Sequence, residues 1–289
     1  MPIAALCAAI TAATGERFDA PRARRAGGGD ISEALLLDDG RRRFFVKLQA
    51  ASRLGVFEAE AEGLAALGAH LRVPAVVATG VAGGRVYLVL EALDLRGHGD
   101  AAALGTALAG LHRAPQARFG WARDNWIGAS VQRNGWRDDW TAFWRDQRLG
   151  FQLDLAARNG HGGALQQDGE FLRAHLGGLF DGYTPAPALL HGDLWGGNHG
   201  YLADGGPVLF DPAVYVGDRE CDLAMSELFG GYAPDFHAAY RAAWPLDAGY
   251  PIRKILYNLY HILNHANLFG GGYASQAARM AASLVAELK

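Results

Sequence analysis

The chain is poor in cysteine and lysine, has no strong net charge, and lacks any long apolar run. Two cysteines in 289 residues, Cys7 and Cys221, are too few for a disulfide framework or a Cys-rich metal site, so a reduced, cytoplasmic setting is expected. A net charge of -3 provides no basic field to draw in a phosphate backbone, which argues against nucleic acid as a partner. The arginine runs in "PRARRAGGG" and "GRRRFF" read as solvated faces and turns. No apolar run reaches the ~18 residues needed to span a bilayer. The start, "MPIAALCAAITAATG", lacks the positively charged opening of a secretory signal and reads as a first helix. No membrane partner is expected, and nothing in the sequence bears on oligomeric state. There is no Gly-Lys dipeptide, hence no P-loop lysine. "GGGDIS" does not have the G-x-G-x-x-G spacing of a dinucleotide-binding turn.

Of the 27 basic residues, 24 are arginine and three are lysine: Lys47, Lys254 and Lys289. A lysine that persists in "RRFFVKLQA" points to a position that needs a compact ammonium on a thin stem rather than a wide guanidinium fork. The rest of the composition is that of a globular enzyme, with half the residues apolar and a fifth charged.

Along the chain, residues 27–48 read as two strands around a "DDG" turn, and 54–68 as a helix. "RVPAVVATGVAGGRVYLVLEAL" adds strands with a hairpin at Gly83-Gly84. After about residue 94 the texture turns helical: "DAAALGTALAGLHRA", then a long aromatic helix from "GWRDDW" to Asn159-Gly160, then 220–244 and 251–287. The expectation is an α+β, two-lobed fold: a small β-rich N-terminal nucleotide-binding lobe over 1–94 and a larger, mostly helical catalytic and substrate lobe over 95–289.

The chemistry concentrates in 186–211. "PALLH" is a short strand, "GDLWGGN" a loop, and "HGYLADGGPVLF" a hairpin turned by Asp204-Gly205-Gly206, with Asp211 at its exit. This spacing is expected to bring Asp193, Asn198 and Asp211 near one another. An amide and a carboxylate oxygen, completed by phosphate oxygens, suit magnesium, and a further carboxylate can orient a hydroxyl and accept its proton. H-G-D-x-x-x-x-N followed by a later Asp resembles the protein-kinase arrangement, with D-P in place of D-F-G. That arrangement also needs a strand lysine, which Lys47 provides, and a helix glutamate, for which Glu58, Glu60 and Glu62 are candidates. Gly27, Gly28 and Gly29 could let the backbone approach ATP phosphates, or form an ordinary glycine-rich hairpin.

"LLHGDLWGGN", "VLFDPAVYVGDRECDLAMSELFGGY" and "LYHILNHANLFGGGY" together resemble the fructosamine kinase (ketosamine-3-kinase) family, and the resemblance runs through nearly the whole chain. It implies the aminoglycoside phosphotransferase fold, a relative of protein kinases, and ATP-dependent phosphorylation of the 3-hydroxyl of a ketoamine, free or on a protein, leading to deglycation. By motif, Asp193 would be the base, and Asn198 and Asp211 the Mg2+ ligands. Lys47 with Glu60 would position phosphate. The backbone of Glu91, Ala92 and Leu93 would meet adenine, and Asp222 would brace the catalytic loop. Trp195 could cover a sugar face or pack its loop. His265 could bond a sugar hydroxyl or sit in a helix core, and Asp218 could bind the substrate amine or cap a helix. The alternatives are an aminoglycoside, choline or homoserine kinase of the same fold, or a non-catalytic nucleotide-binding scaffold.

Overall fold

The computed structural model describes residues 3–26 and 32–289. Its internal contacts group the chain into two compact units, Met1–Asp100 with His199–Pro212, and Ala101–Asn198 with Ala213–Lys289. A single cut after residue 94 would have left 199–212 with the helical part. Instead this hairpin pairs with the first unit: Arg96 and Tyr201 exchange backbone hydrogen bonds of 2.8 and 3.0 Å, and Leu209 N–H donates to Arg72 O at 3.1 Å. A reading in chain order does not register a hairpin whose partners lie more than a hundred residues earlier.

The first unit is an antiparallel five-stranded sheet, β1 (Arg22–Arg25), β2 (Glu33–Asp38), β3 (Arg43–Ala50), β4 (Val76–Ala82) and β5 (Arg85–Glu91), in the order β1-β2-β3-β5-β4. The β2–β3 turn is set by two aspartates: Asp38 accepts the Gly40 N–H, and Asp39 accepts those of Arg41 and Arg42. Alternation then sorts β3. Phe44, Val46 and Leu48 join Leu35, Leu37, Tyr87 and Val89 in a core with Leu6, Cys7 and Ile10 of α1 (Ile3–Thr14). α2 (Leu54–Gly68) packs on β4 and β5 through its buried stripe of Phe57, Leu64 and Leu67. The hairpin β9 (His199–Tyr201) and β10 (Pro207–Leu209) completes the unit.

The second unit contains α3 (Ala101–His112), a hairpin β6 (Asn125–Ile127) and β7 (Ser130–Gln132), α4 (Trp140–Phe143), α5 (Phe151–Arg158) and α6 (Ala164–His175). β8 (Ala188–Leu190) pairs antiparallel with β11 (Tyr215–Gly217). Four helices follow, α7 (Glu220–Leu228), α8 (Pro234–Ala243), α9 (Tyr250–Phe269) and α10 (Gly272–Glu287). α9 packs against α5, α7 and α10. It buries Leu256, Leu259, Ile262 and Leu263 in a core shared with Trp140, Phe143, Trp144 and Leu284.

Three helices differ from expectation. The aromatic helix starts only at Trp140, where Asp139 caps the Ala142 N–H at 2.6 Å, and it widens to a π-helical stretch over Trp144–Gly150. The two long C-terminal helical segments each break at a glycine pair, Gly230-Gly231 and Gly270-Gly271, in left-handed backbone that other residues resist. Among the described residues no helix is long and apolar enough to cross a membrane.

Candidate functional site

Lys47 sits mid-strand on β3, opposite Ala34 and Leu88, on the sheet face away from Phe44 and Val46 by strand alternation. Phe57, Glu60, Leu64 and Leu67 fall at helical spacing on one stripe of α2, which turns Glu60 inward and leaves Glu58 and Glu62 off it. Lys47 Nζ donates to Glu60 Oε1 and to Asp211 Oδ1, both at 2.6 Å. Lys47 and Glu60 side chains are each 12% exposed. Burial alone would lower the Lys47 ammonium, but the two carboxylates more than reverse this and hold it above the ordinary lysine range.

Asp211 follows β10 with φ +57, a left-handed conformation that aspartate tolerates better than most residues. Its side chain is 40% exposed, so a carboxylate that pairs with Lys47 is also open to a cation from solvent. At the end of β5, Glu91 accepts from Arg72 at 2.5 Å and from the Ala75 N–H at 3.1 Å. Ala92 and Leu93 follow it, half-buried and outside any strand. Gly28 and Gly29, with Gly27, lie outside the described residues.

In the second unit the chain leaves β8 into the loop 191–198. His191 O accepts the Ala213 N–H at 2.9 Å. Gly192 has φ +81, and a Cβ there would lie 2.0 Å from Ala213 O, so only glycine fits. Asp222, in the first turn of α7, accepts the His191 N–H at 2.7 Å and the Gly192 N–H at 2.9 Å, and lies 3.2 Å from His112 Nε2. Burial would raise the Asp222 carboxyl. His112 and the loop amides outweigh burial and hold it below the ordinary aspartate value. The bracing role for Asp222 is thus visible in its bonds. His112, the last residue of α3, was missed as its partner, and a lone histidine closing an apolar helix gives little warning.

Asn198 Nδ2 donates to Asp193 O at 2.9 Å and to Asp193 Oδ2 at 3.1 Å. This fixes the carboxylate and turns the amide oxygen, the atom a hard cation takes, away from it. The donor chemistry fits magnesium, which takes one or two protein oxygens and completes its shell with phosphate and water.

Trp195 is 41% exposed, and its indole covers Gly197, where a Cβ would meet the ring at 2.2 Å. His265 is half-buried. Its Nδ1 lies 2.8 Å from His261 O, and its ring lies within 6 Å of Phe229, Phe269 and Tyr273. Asp218 does not fit the substrate role. It has no exposure and accepts the Tyr257 hydroxyl at 2.6 Å, the Tyr183 hydroxyl at 3.0 Å and the Glu220 N–H at 3.0 Å. A substrate amine would have to displace two phenols. The carboxylate instead ties the start of α7 to α9, close to the helix-capping alternative.

The fructosamine kinase family model matches residues 2–287. A "Probable ketoamine kinase" of Synechocystis is 46% identical over 276 residues, covering 94% of this chain and 92% of the relative. The chloroplastic protein-ribulosamine 3-kinase of Arabidopsis thaliana is 41% identical over 257 residues, covering 87% of this chain and 78% of the relative. Among solved structures, a "Putative fructosamine-3-kinase" from Haemophilus somnus superposes with a TM-score of 0.88 at 28% identity, covering 97% of this chain and 96% of that one. A thermostable mutant of the aminoglycoside phosphotransferase APH(4)-Ia, at 14% identity and a TM-score of 0.55 over 97% of this chain and 98% of that one, shares the fold. The fold is therefore the kinase-like α+β fold of those enzymes, strand-rich in the first unit and mostly helical in the second.

Proposed function

Because the chain belongs to the fructosamine kinase family, we propose that it transfers the γ-phosphoryl group of ATP to the 3-hydroxyl of a ketosamine, a sugar–amine adduct carried by a free amine or a protein. As a family member it is a phosphotransferase with an alcohol acceptor. The phosphorylated adduct then breaks down and releases the amine, so the role is deglycation.

The observation that carries this reading is the loop carboxylate of Asp193, held by Asn198 on a backbone braced by Asp222. Phosphoryl transfer asks the protein mainly for positioning and charge neutralisation. In the proposed reaction Asp193 accepts the proton of the attacking hydroxyl. Lys47 gives its ammonium to the α- and β-phosphates, and Glu60 keeps Lys47 extended across the sheet face. Asn198 and Asp211 would hold magnesium, which when bound neutralises charge on the β- and γ-phosphate oxygens. Asp211, which is bonded to Lys47 and partly exposed, would serve both the lysine and the ion. Trp195, with its exposed ring, suits the apolar face of a sugar.

The test is a substrate panel with labelled ATP, comparing ribulosamine and fructosamine adducts of lysine with kanamycin and choline. Label is expected on the ketosamines alone. Asp193→Asn is expected to bind ATP as the native protein does and to lose at least about 100-fold in kcat. Native turnover by Asp193→Asn would refute the base assignment. Transfer to kanamycin or choline in preference would move the acceptor to another class, and nucleotide binding with no transfer to any acceptor would leave a scaffold.

A further inference from the structure

A buried polar cluster in the second unit takes no direct part in the chemistry above. Asn125 ends up on β6 and Gln132 on β7, followed by Asn134; Arg148 comes from the π-helical stretch and Tyr260 from α9. All five are at most 4% exposed. Gln132 Nε2 donates to Asn125 Oδ1 and to Ala213 O, each at 2.9 Å, and Gln132 Oε1 accepts the Tyr260 hydroxyl at 2.9 Å. Asn125 Nδ2 donates to Val214 O at 2.7 Å. Asn134 Nδ2 donates to Asn125 Oδ1 at 2.9 Å, and its own oxygen accepts Arg148 Nη2 at 2.8 Å. The Arg148 guanidinium is stacked 4.1 Å over the Tyr215 ring.

Such a cluster is a costly way to fill a core, since apolar side chains of the same volume would stabilise at least as well. Its bonds converge on the backbone carbonyls of Ala213 and Val214. Ala213 is also the residue whose N–H is bonded to His191 O and whose carbonyl lies against Gly192. Asp222 holds one side of the His191-Gly192 backbone, and Ala213 forms the other.

We propose that Gln132 is a positioning residue for phosphoryl transfer: by fixing the Ala213 carbonyl it sets where the loop carrying Asp193 comes to rest. This rests on Asp193 being the base. Gln132 touches no reacting atom, so its effect is expected on kcat and not on nucleotide binding. A displacement of about 1 Å at a reacting group can cost about 100-fold.

Gln132→Glu is the informative variant. It has the same size and keeps an acceptor for Tyr260, but its ionised carboxylate has no N–H for Ala213 O or Asn125 Oδ1. The ionisable groups around it are the Tyr260 hydroxyl and, one side chain further, the Arg148 guanidinium, the Cys221 thiol and the Asp193 carboxylate, all of which act on Tyr260. At pH 8 a fall in kcat of more than about tenfold is expected, with KM for ATP within about twofold of native. At pH 6 the buried carboxyl takes up a proton, can donate to Ala213 O again, and is expected to recover most of the loss relative to the native protein at that pH. Tyr260→Phe, which keeps the ring and loses the bond to Gln132, is expected to show a smaller fall in kcat with KM for ATP again unchanged.

Thermal melts and circular dichroism at both pH values accompany the kinetics. Native kcat for Gln132→Glu at both pH values, or a fall in kcat that only tracks the unfolded fraction, would overturn the proposal. An inactive Asp193→Asn beside a fully active Gln132→Glu removes the positioning role alone. A fully active Asp193→Asn removes the base assignment and the positioning role with it.

Discussion

Lys47 stands between two carboxylates at 2.6 Å each in a chain that otherwise uses arginine for nearly all its positive charge. A guanidinium presents its donors in a wide plane and does not fill the same slot. Removing the charge leaves Glu60 buried beside nothing cationic. Lys47→Met is therefore expected to lose about 3–5 kcal/mol of stability, read as a lower urea midpoint. Glu60→Gln keeps a hydrogen-bonding partner and should retain the fold, with kcat/KM for ATP down about tenfold. Equal urea midpoints for Lys47→Met and the native protein would show that the pair is not held as described. At this scale the site was partly legible. The scarcity of lysine singled out position 47, whereas Glu60 stood level with Glu58 and Glu62 until the family resemblance chose it. Asp218 was not legible, because an aspartate before a helix reads alike whether its carboxylate meets solvent or two buried phenols.

At the scale of elements, local periodicity located α2, α3 and the hairpin of β9 and β10, since each is fixed by neighbours within a turn or two. It overran where backbone geometry or a cap sets a helix boundary: the glycine pairs before α8 and α10, and the Asp139 cap that delays the aromatic helix to Trp140. The hairpin β6–β7 and the strand β11 span three residues each, too few for a periodic signal, whereas β8 was legible as the apolar run in "PALLH". Helix crossing gives a sharper test. α3 meets α8 at Gly105, where a Cβ would lie 2.2 Å from Phe236 O. Backbone yields less readily than a side-chain tip, so Gly105→Ala is expected to cost about 1–3 kcal/mol, visible as a lower melting temperature. An unchanged melting temperature would mean that the two helices can separate freely at that point.

For the molecule as a whole, acid stability should carry the mark of His261. It is 5% exposed, and burial, helped by His265, pushes its imidazole down to about 3. The unfolded chain binds a proton there at about pH 6.5, whereas the folded one resists it. The contribution is therefore whole above about pH 6.5 and drains as pH falls toward 3, at up to about 1.4 kcal/mol per pH unit. The buried Asp222 also weakens the protein in acid, but only below the ordinary aspartate value of 3.8, the acid end of the His261 window. His261→Gln is expected to flatten the fall in urea midpoint between pH 4 and 6.5. Parallel curves for the two proteins would show that His261 is protonated in the folded state after all.

The sequence by itself determined the class of chemistry, through H-G-D-x-x-x-x-N, the later D-P and the lone strand lysine. It determined most helices and hairpins as well, because spacing and turn residues act over a few positions. The tertiary structure decided which charges meet. Lys47 and Asp211 are 164 residues apart in the chain, and Gln132 reaches a carbonyl 81 residues on. No local pattern encodes such meetings, because they depend on how sheets and helices stack and on which polar groups that stacking removes from water.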